Sequence, residues 1–349
     1  MISYDVTDWG KPLQKAIRDT PVPQGTEVLL KVKYCGVCHS DVHIRDGYFD
    51  LGGGKKFYMG ERGMELPVTM GHEPYGTVVA AGPDAGDVPI GEDRLVFPWV
   101  GCGECARCAA EQDNHCMAMR SLGVRLRGGY ADHILVPHPK YLVDASGIEP
   151  SFAPILACSG VTTYSAINKL MPCDPDDWIA VFGAGGLGLM AVAMLRAKGH
   201  RNIAVGDIDP GKFEAARKAG ATHTFDTREP DAAAKLAALP GGLWGAVDLV
   251  GASTTASIGF NALRKGGRYV VVGLFGGELP LATVTLAQRA VTVQGSYVGS
   301  LQELKEVVEL ARSGKLEPIP VSTCALDEVS DVLDRLKAGT VTGRVVARI

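Results

Sequence analysis

Short apolar runs bounded by turn-forming residues characterise roughly the first 150 residues of the chain. Residues 27–34 (E-V-L-L-K-V-K-Y) and 76–81 are rich in β-branched and other strand-forming residues. Proline and glycine recur between such runs, and few segments show the period of an amphipathic helix. The pattern predicts a β-rich N-terminal region.

The pattern changes near residue 155, where apolar strand-like runs begin to alternate with helix-like segments. The predicted strands are 178–182, 202–207, 246–250 and 268–274, and the predicted helices are 189–198 and 212–219. Strands that alternate with helices are typical of βαβ units in a parallel sheet. We therefore predict an α/β fold, a doubly wound parallel sheet, joined to the β-rich region.

The C-terminal segment contains a helix signal followed by a strand signal. Ser300 and Glu303 have the spacing of a capping box, which predicts a helix to about residue 313. Residues 342–349 end in the strand-like sequence V-V-A-R-I. We predict a β-rich domain over 1–152, an α/β domain over 153–296, and a return to the first domain over 297–349.

Charge and composition narrow the class of protein. The chain has 349 residues, 46% of them apolar, and a formal net charge of −4, which provides no basic surface for nucleic acid or anionic membranes. The start of the sequence lacks the basic and apolar regions of a signal peptide, and no apolar run is long enough to span a bilayer. We expect a cytoplasmic protein whose cysteines bind metal rather than form disulfides.

Four of the nine cysteines are close together in the sequence G-C-G-E-C-A-R-C-A-A-E-Q-D-N-H-C. These are Cys102, Cys105, Cys108 and Cys116. Four thiolates at this spacing can enclose one tetrahedral zinc with no open position, which indicates a structural site. An iron–sulfur cluster has the same ligand count. His115 is interpreted as a loop residue, because the four sulfurs already saturate the metal.

A glycine-rich turn, G-A-G-G-L-G at 183–188, follows the predicted strand W-I-A-V-F and opens a helix. The residues of this turn that we expect to contact a cofactor are Gly183, Gly185, Gly186, Leu187 and Gly188. In this context the motif predicts a dinucleotide site, with the pyrophosphate at the helix N-terminus. Asp207 closes the next strand, where an acid holds the ribose hydroxyls and repels a 2′-phosphate, which favours NAD(H). Lys212 is a further candidate contact, and the alternative is a plain strand–helix turn beside a solvated acid.

A third set of chemically active residues lies in three separate segments. Residues 36–43 read G-V-C-H-S-D-V-H, and segments 71–73 and 157–160 carry a histidine and a cysteine between small residues. The candidate metal ligands are Cys38, His72 and Cys158. Three such ligands leave one zinc position open, as a catalytic site requires. Taken singly, each of these residues is equally consistent with core packing.

Taken together, these motifs resemble those of the zinc-dependent medium-chain alcohol dehydrogenases. The resemblance covers essentially the whole chain and also includes G-H-E-P-Y-G, G-G-Y-A-D-H-I-L-V-P, C-S-G-V-T-T-Y and the closing G-R-V-V. It implies a GroES-like catalytic domain and a Rossmann domain, with substrate and NAD(H) in the cleft between them. It also implies one catalytic and one structural zinc, and a homodimer or homotetramer that pairs through the strand region 283–297.

The resemblance assigns roles to individual residues. Asp41 matches the carboxylate that orients His72, and Glu73 matches an acid that approaches the metal during ligand exchange. Ser40 and His43 match a proton relay through the cofactor ribose. The remaining expected cofactor contacts are His39, Val250, Val272, Gly273 and Arg344. Gly206 departs from the family pattern, which usually has a bulkier residue, and is expected to loosen the adenosine pocket.

The expected reaction interconverts a primary or secondary alcohol with its aldehyde or ketone by NAD(H)-linked hydride transfer. The alternatives are a zinc-independent reductase of activated double bonds and a non-catalytic nucleotide-binding protein. Residues 46–63 and 294–300 resemble a bacterial branch of the family that includes 6-hydroxyhexanoate dehydrogenase. On that resemblance, Lys55, Lys56 and Arg62 could meet a substrate carboxylate, although a solvated loop with ordinary charges is the simpler explanation.

Overall fold

The computed structural model describes residues 1–349, except for the side chain of Arg62. The strands are β1 (Ile2–Val6), β2 (Gln14–Ile17), β3 (Val28–Val37), β4 (Tyr48–Asp50), β5 (Lys56–Tyr58), β6 (Val68–Thr69), β7 (Pro74–Ala81), β8 (Asp93–Val96), β9 (His133–Val136), β10 (Leu142–Val143), β11 (Trp178–Phe182), β12 (Ile203–Asp207), β13 (His223–Asp226), β14 (Leu243–Asp248), β15 (Leu263–Val271), β16 (Thr292–Gly295), β17 (Val321–Ala325) and β18 (Arg344–Arg348).

The helices lie mostly in the second half of the chain. They are α1 (His39–Asp46), α2 (Ala106–Ala109), α3 (Ala153–Ile155), α4 (Val161–Asn168), α5 (Gly186–Ala197), α6 (Phe213–Lys218), α7 (Ala232–Ala237), α8 (Ser253–Ala262), α9 (Thr283–Arg289), α10 (Leu301–Arg312) and α11 (Val329–Lys337). Ser300 caps α10, and its hydroxyl accepts a hydrogen bond from the Glu303 amide at 3.2 Å, as the capping box predicted. No helix among the described residues combines the length and the apolar character needed to cross a bilayer.

Six parallel strands form the predicted doubly wound sheet, in the order β13-β12-β11-β14-β15-β16. The central strands β11 and β12 are buried almost throughout, because helices cover both faces of such a sheet. The chain reverses its winding between β12 and β14, on either side of β11. The carboxyl ends of these three strands therefore flank the crevice in which open α/β sheets bind ligands.

The β-rich region is built around β3, which pairs with β7, β9 and β18 in a seven-stranded sheet. Because β18 is the last strand of the chain, the C-terminal segment pairs with the N-terminal region. This pairing brings Gly36, at the end of β3, opposite Val346. The segment 36–43 is thereby anchored directly beside the C-terminal strand.

Two strand predictions were displaced along the sequence, and one was wrong in part. Strand β14 ends at Asp248 rather than 250, and β15 ends at Val271 rather than 274, because the next residues turn at the sheet edge. The predicted strand region 283–297 contains helix α9, and only Thr292–Gly295 is a strand. The strand region 283–297 was expected from the family resemblance and not from the hydrophobic pattern, and helix α9 within it has no buried residue.

Candidate catalytic and metal-binding site

The four clustered cysteines form one compact group around the short helix α2. The Cys105 sulfur lies 3.6 Å from that of Cys108 and 3.8 Å from that of Cys116, and the sulfurs of Cys102 and Cys108 are 3.9 Å apart. Sulfurs bound to one tetrahedral zinc, at about 2.3 Å each, stand about 3.8 Å apart. Backbone N–H groups, that of Glu104 foremost, lower the pKa of Cys102 to about 6, which favours its thiolate form. The group therefore fits one zinc ion.

A buried carboxylate supports the cysteine lobe, the loop of residues 102–116 that carries the four cysteines. Asp113 is 1% exposed, and its Oδ1 accepts hydrogen bonds from the Gly101 amide at 3.3 Å, Lys140 Nζ at 3.0 Å and the Tyr141 hydroxyl at 2.8 Å. Burial and the neighbouring Asp113 raise the pKa of Tyr141, so its hydroxyl remains a donor. These contacts attach the cysteine loop to the β-rich sheet.

The second metal-ligating group brings together the three segments that the sequence singled out. Cys38 caps the N-terminus of α1, His72 lies between β6 and β7, and Cys158 lies in a π-helical turn, Leu156–Gly160, between α3 and α4. The two sulfurs are 3.9 Å apart, and one ligand atom from each of Cys38, His72, Glu73 and Cys158 lies within 4.8 Å of the others. All four residues are buried.

The His72 imidazole has a free nitrogen that is oriented to bind a metal. Asp41 Oδ1 lies 3.0 Å from His72 Nδ1, which places the ring proton on Nδ1 and leaves the Nε2 lone pair free. His72 Nε2 is buried and has no hydrogen-bond partner in the described part of the chain. A buried nitrogen without a partner is costly unless something binds it. Together with the two sulfurs, it fits a zinc ion with one open position.

Asp41 has no freedom to leave this arrangement. Its Oδ2 accepts hydrogen bonds from the Cys38 amide at 3.0 Å and from the Tyr130 hydroxyl at 2.8 Å, and the residue is fully buried. Burial and the adjacent Asp41 raise the pKa of Tyr130, so that the hydroxyl stays protonated and donates. The carboxylate therefore orients His72 and fixes the backbone of the Cys38 turn at once.

Glu73 forms a buried ion pair with Arg344, a contact that the sequence did not predict. Arg344 donates to both carboxylate oxygens, at 2.6 Å to Oε2, while Oε1 lies 4.0 Å from His72 Nε2. Burial raises the pKa of Glu73 to about 7, although the Arg344 charge opposes that shift. Gly36 leaves room for this acid, since a Cβ there would lie 1.8 Å from Glu73 Oε2.

Arg344 also contacts the glycine-rich turn, so it lies near the expected phosphate site and beside the metal group. A Cβ on Gly186 would lie 2.5 Å from Arg344 Cδ and 2.4 Å from the carbonyl of Gly343. The first domain and the turn therefore meet at this residue. The guanidinium is paired with Glu73, and its Nε has no partner among the described residues.

The glycines of the turn are explained by different contacts. Gly183 has φ of +96°, which L-residues rarely adopt, and a Cβ on Gly188 would lie 1.8 Å from the Gly183 carbonyl oxygen. Gly185 caps α5 and faces open space, whereas Leu187 is half-buried on its first turn. The open face at the helix N-terminus is the surface that a pyrophosphate requires.

Asp207 lies at the end of β12 beside this turn. Its Oδ2 accepts a hydrogen bond from the Ala184 amide at 2.6 Å and its Oδ1 one from the Asp209 amide at 2.9 Å. Lys212 follows at the end of a 3₁₀ turn and is half-buried. The expectation that Gly206 loosens the adenosine pocket is not met, because a Cβ there would lie 2.3 Å from the Phe225 ring. The neighbouring strand fills that space.

The expected relay residues share one face of α1. Ser40 and His43 are half-buried one helical turn apart, and the His43 ring lies 5.0 Å from the Phe49 ring and 5.4 Å from the exposed ring of His39. Burial, and next the neighbouring His39, lower the pKa of His43. His43 is therefore neutral near pH 7 and able to accept a proton.

The residues expected beside the nicotinamide lie at the carboxyl ends of β14 and β15. Val250 and Val272 are half-buried, and Gly273 packs against Val250 so closely that a Cβ would lie 2.0 Å from the Val250 carbonyl carbon. These ends adjoin the end of β11, from which the glycine-rich turn departs. The candidate cofactor residues are thus collected along one edge of the sheet.

Comparison with known proteins agrees with this geometry. A family described as "Zinc-binding dehydrogenase" matches residues 186–313, and one described as "Alcohol dehydrogenase GroES-like domain" matches residues 24–146. The chain is 36% identical over 349 residues to a NAD-dependent alcohol dehydrogenase of Sulfurisphaera tokodaii, with 99% of each protein covered. The chain belongs to the zinc-binding alcohol dehydrogenase family.

Solved structures of similar fold include several activities. An alcohol dehydrogenase from Aeropyrum pernix superimposes with a TM-score of 0.89 at 30% identity, with both chains covered completely. The D-arabinose dehydrogenase of Sulfolobus solfataricus superimposes with a TM-score of 0.84 at 26% identity, covering 100% of this chain and 99% of that one. Membership of the alcohol dehydrogenase family therefore leaves the substrate open.

In this alcohol dehydrogenase, the sequence reasoning missed the residues that support the two metal groups. Tyr130 and Tyr141 each donate to the aspartate that supports one group. The Trp99 ring lies 5.6 Å from the His72 ring at a tilt of 49°, and its indole donates to the Ala157 carbonyl at 3.2 Å. A buried tyrosine or tryptophan needs a polar partner, so the motif G-G-Y-A-D at 128–132 carried a usable signal.

Proposed function

We propose that this chain is a zinc-dependent, NAD(H)-linked alcohol dehydrogenase that interconverts primary or secondary alcohols with aldehydes or ketones by hydride transfer. The observation that carries the proposal is the buried, unpartnered Nε2 of His72, oriented by Asp41 and facing the sulfurs of Cys38 and Cys158. These three residues hold a catalytic zinc, and Cys102, Cys105, Cys108 and Cys116 hold a structural one.

A zinc ion held by Cys38, His72 and Cys158 would supply Lewis acidity that lowers the pKa of an alcohol hydroxyl, and a bound nicotinamide would supply the hydride acceptor. The protein supplies position and proton transfer. Ser40 would take the hydroxyl proton, and His43, on the same face of α1, would receive it, since its lowered pKa keeps it neutral. Glu73, held by Arg344, would be the acid next to the metal ligands, with Oε1 4.0 Å from His72 Nε2.

The cofactor occupies the crevice at the carboxyl ends of β11, β12 and β14. The glycine-rich turn would hold the pyrophosphate, Asp207 would bind the ribose hydroxyls, and the ends of β14 and β15 would face the nicotinamide. The proposed contacts are His39, Gly183, Gly185, Gly186, Leu187, Gly188, Asp207, Lys212, Val250, Val272, Gly273 and Arg344. The carboxylate of Asp207 repels a 2′-phosphate, so NAD(H) is preferred over NADP(H).

The substrate region contains aromatic side chains and a charged hairpin. Trp99 lies 6.2 Å from the Tyr297 ring, and Phe49 contacts His43, which supports a substrate with apolar carbons next to its hydroxyl. Lys56 Nζ lies 3.8 Å over the Tyr48 ring on the β4–β5 hairpin, where it could meet a distal carboxylate as in an ω-hydroxy acid. The side chain of Arg62, the third candidate, lies outside the described residues.

We further propose a cytoplasmic homodimer or homotetramer that pairs through β16. This strand is an edge of the parallel sheet, and nearby Phe275 and Val284 are 69% and 64% exposed. An unpaired edge beside exposed apolar side chains favours association with a second copy. The division into domains at 1–152, 153–296 and 297–349 is part of the same proposal.

The first test measures metal content per chain together with NADH formation across an alcohol panel that includes ω-hydroxy acids. We expect two zincs per chain and NAD-dependent turnover. One zinc without turnover would leave only the cysteine lobe and favour a non-catalytic nucleotide-binding protein. Activity that survives removal of both zincs would favour a zinc-independent reductase.

A second test concerns the cofactor. Asp207→Ala should weaken NAD binding and narrow the preference over NADP, because the ribose partner and the repelling charge are both lost. Asp209→Ala is the matched control, since this exposed acid lies on the same loop and accepts, among the described residues, from the Gly211 amide alone at 2.9 Å. An unchanged ratio of NAD to NADP affinity in Asp207→Ala would remove this residue from its role.

A further inference from the structure

One buried acid stands out among the groups that the proposed reaction does not use. Asp248 is the last residue of β14 and is fully buried. Both of its carboxylate oxygens accept hydrogen bonds from described residues. Oδ1 accepts from the Val250 amide at 2.9 Å and the Gly251 amide at 2.8 Å. Oδ2 accepts from the Thr255 hydroxyl at 2.8 Å and the Tyr269 hydroxyl at 2.6 Å. Such a carboxylate is strongly held in one orientation.

The backbone carbonyl of the same residue holds the neighbouring segment. It accepts hydrogen bonds from the Val272 amide at 2.8 Å and the Gly273 amide at 3.0 Å. One residue therefore bonds both Val250 through its side chain and Val272 through its main chain. The two segments that leave β14 and β15 toward the crevice are attached to a single point.

The two segments also interlock, so neither moves alone. A Cβ on Gly251 would lie 2.2 Å from the Gly273 carbonyl oxygen, and the Phe275 amide donates to the Val250 carbonyl at 3.1 Å. A shift of the Val250 turn would therefore displace the 272–275 segment with it. The position of these two segments, the Val250 turn and residues 272–275, therefore depends on the Asp248 carboxylate as well as on side-chain packing.

We propose that Asp248 is a positioning residue for the nicotinamide half of the cofactor. It holds the Val250 turn and the Val272–Gly273 segment as one rigid wall against which the nicotinamide ring rests. The inference rests on the proposed function, in which these residues contact that ring. The adenosine half is held elsewhere, by Asp207 and the glycine-rich turn, on the other side of β11 in the sheet.

This separation makes the role distinguishable from a merely structural one. Loss of fold stability would weaken both halves of the cofactor site together. Loss of the wall alone would weaken the binding of a ligand that carries the nicotinamide and leave unchanged the binding of a ligand that lacks it. NADH and ADP-ribose differ in this respect, since ADP-ribose keeps the adenosine, the pyrophosphate and the second ribose but lacks the nicotinamide ring.

The experiment titrates the zinc-loaded full chain with NADH and, separately, with ADP-ribose by calorimetry. Asp248→Ala removes the oxygen that accepts hydrogen bonds from the Val250 and Gly251 amides, and should weaken NADH binding by about tenfold. Its ADP-ribose affinity should stay within about twofold of the unmutated chain, because that contact set is distant. Primary deuterium isotope effects on alcohol oxidation should rise in the same variant, because a loosened ring makes hydride transfer more rate-limiting.

Two further variants keep the inference testable if Asp248→Ala folds poorly. Asp248→Asn retains one carbonyl oxygen for the two amides and should restore most of the NADH affinity. Tyr269→Phe removes a buried hydrogen bond from the same carboxylate but leaves both amide bonds, so its NADH affinity should stay near that of the unmutated chain.

Three outcomes would overturn the inference. Equal weakening of NADH and ADP-ribose in Asp248→Ala and Asp248→Asn would indicate a structural role alone, and unchanged binding of both would indicate no role. Failure of the unmutated chain to bind NADH at all would instead overturn the proposed function, and the inference with it.

Discussion

The two cysteine-containing metal groups differ in how the chain assembles them. The lobe takes all four ligands from residues 102–116, and two of them are only half-buried. The other group takes ligands as far apart as Cys38 and Cys158, which are 120 positions apart, and all of them are buried. The lobe is a local loop that metal can close, whereas the second group exists only when β3, the β6–β7 connection and the π-helical turn meet.

A hydrogen bond between a buried aspartate and a buried tyrosine supports both metal groups, but the two aspartates contact different partners. A buried aspartate accepts a hydrogen bond from a buried tyrosine hydroxyl at 2.8 Å in each case, Asp41 from Tyr130 and Asp113 from Tyr141. Asp41 also contacts a metal ligand, His72, whereas Asp113 contacts the backbone of Gly101. The first aspartate can therefore tune a metal, and the second can only hold a loop.

The largest expected effect separates the groups by function. Cys158→Ser should reduce alcohol oxidation by about 10³-fold or more, because Lewis-acid stabilisation of several kcal/mol is lost. The variant should keep one zinc per chain, its melting temperature and its affinity for NADH. Steady-state kinetics, metal analysis and NADH titration measure these quantities, and normal turnover would refute the catalytic zinc assignment.

Cys105→Ser is the matched change in the lobe and should act mainly on stability. The sulfur of Cys105 lies next to two others, so its loss should release the structural zinc and lower the melting temperature by several degrees. Residual turnover per folded molecule should stay well above that of Cys158→Ser. A variant with full stability but no activity would reverse the roles of the two groups.

A smaller effect tests the two supporting aspartates. Asp41→Asn should weaken zinc at the buried group by about 10- to 100-fold, because the amide supports His72 less well than a carboxylate does. Asp113→Asn is its control and should leave that affinity unchanged while loosening the lobe. Competition with a chromogenic chelator measures both, and equal loss of the catalytic zinc in the two variants would contradict the difference between the groups.

The smallest effect is expected for the paired tyrosines. Tyr130→Phe and Tyr141→Phe each remove one hydrogen bond to a buried carboxylate, at a cost of about 1.5–3 kcal/mol in unfolding free energy. Only Tyr130→Phe should also lower the affinity of the buried group for zinc. Denaturant unfolding together with the same chelator assay distinguishes them, and a loss of catalytic zinc in Tyr141→Phe would show that the two groups are coupled.

Prediction from the sequence succeeded where a pattern is local. The four cysteines, the glycine-rich turn after β11 and the capping box at Ser300 each lie within a few residues of their partners, so spacing alone indicates the structure. The strand region 283–297, which was expected from the family resemblance, is wrong in part, because residues 283–289 form helix α9 and only 292–295 form a strand. Prediction from the sequence also displaced the ends of β14 and β15, because the apolar pattern continues into the turn that Asp248 organises.

By itself, the sequence determined the α/β and β-rich parts, the cysteine lobe and the candidate dinucleotide turn, because these depend on periodicity and short spacing. Only the tertiary structure decided that Cys38, His72 and Cys158 converge, that Glu73 pairs with Arg344, and that Tyr130 holds Asp41. Those contacts join residues far apart in the chain, and burial then determines which nitrogen, oxygen or sulfur is left without a partner. The sequence and its family resemblance named the three ligands, but the packing of the sheets determines which atoms meet and which stay without a partner.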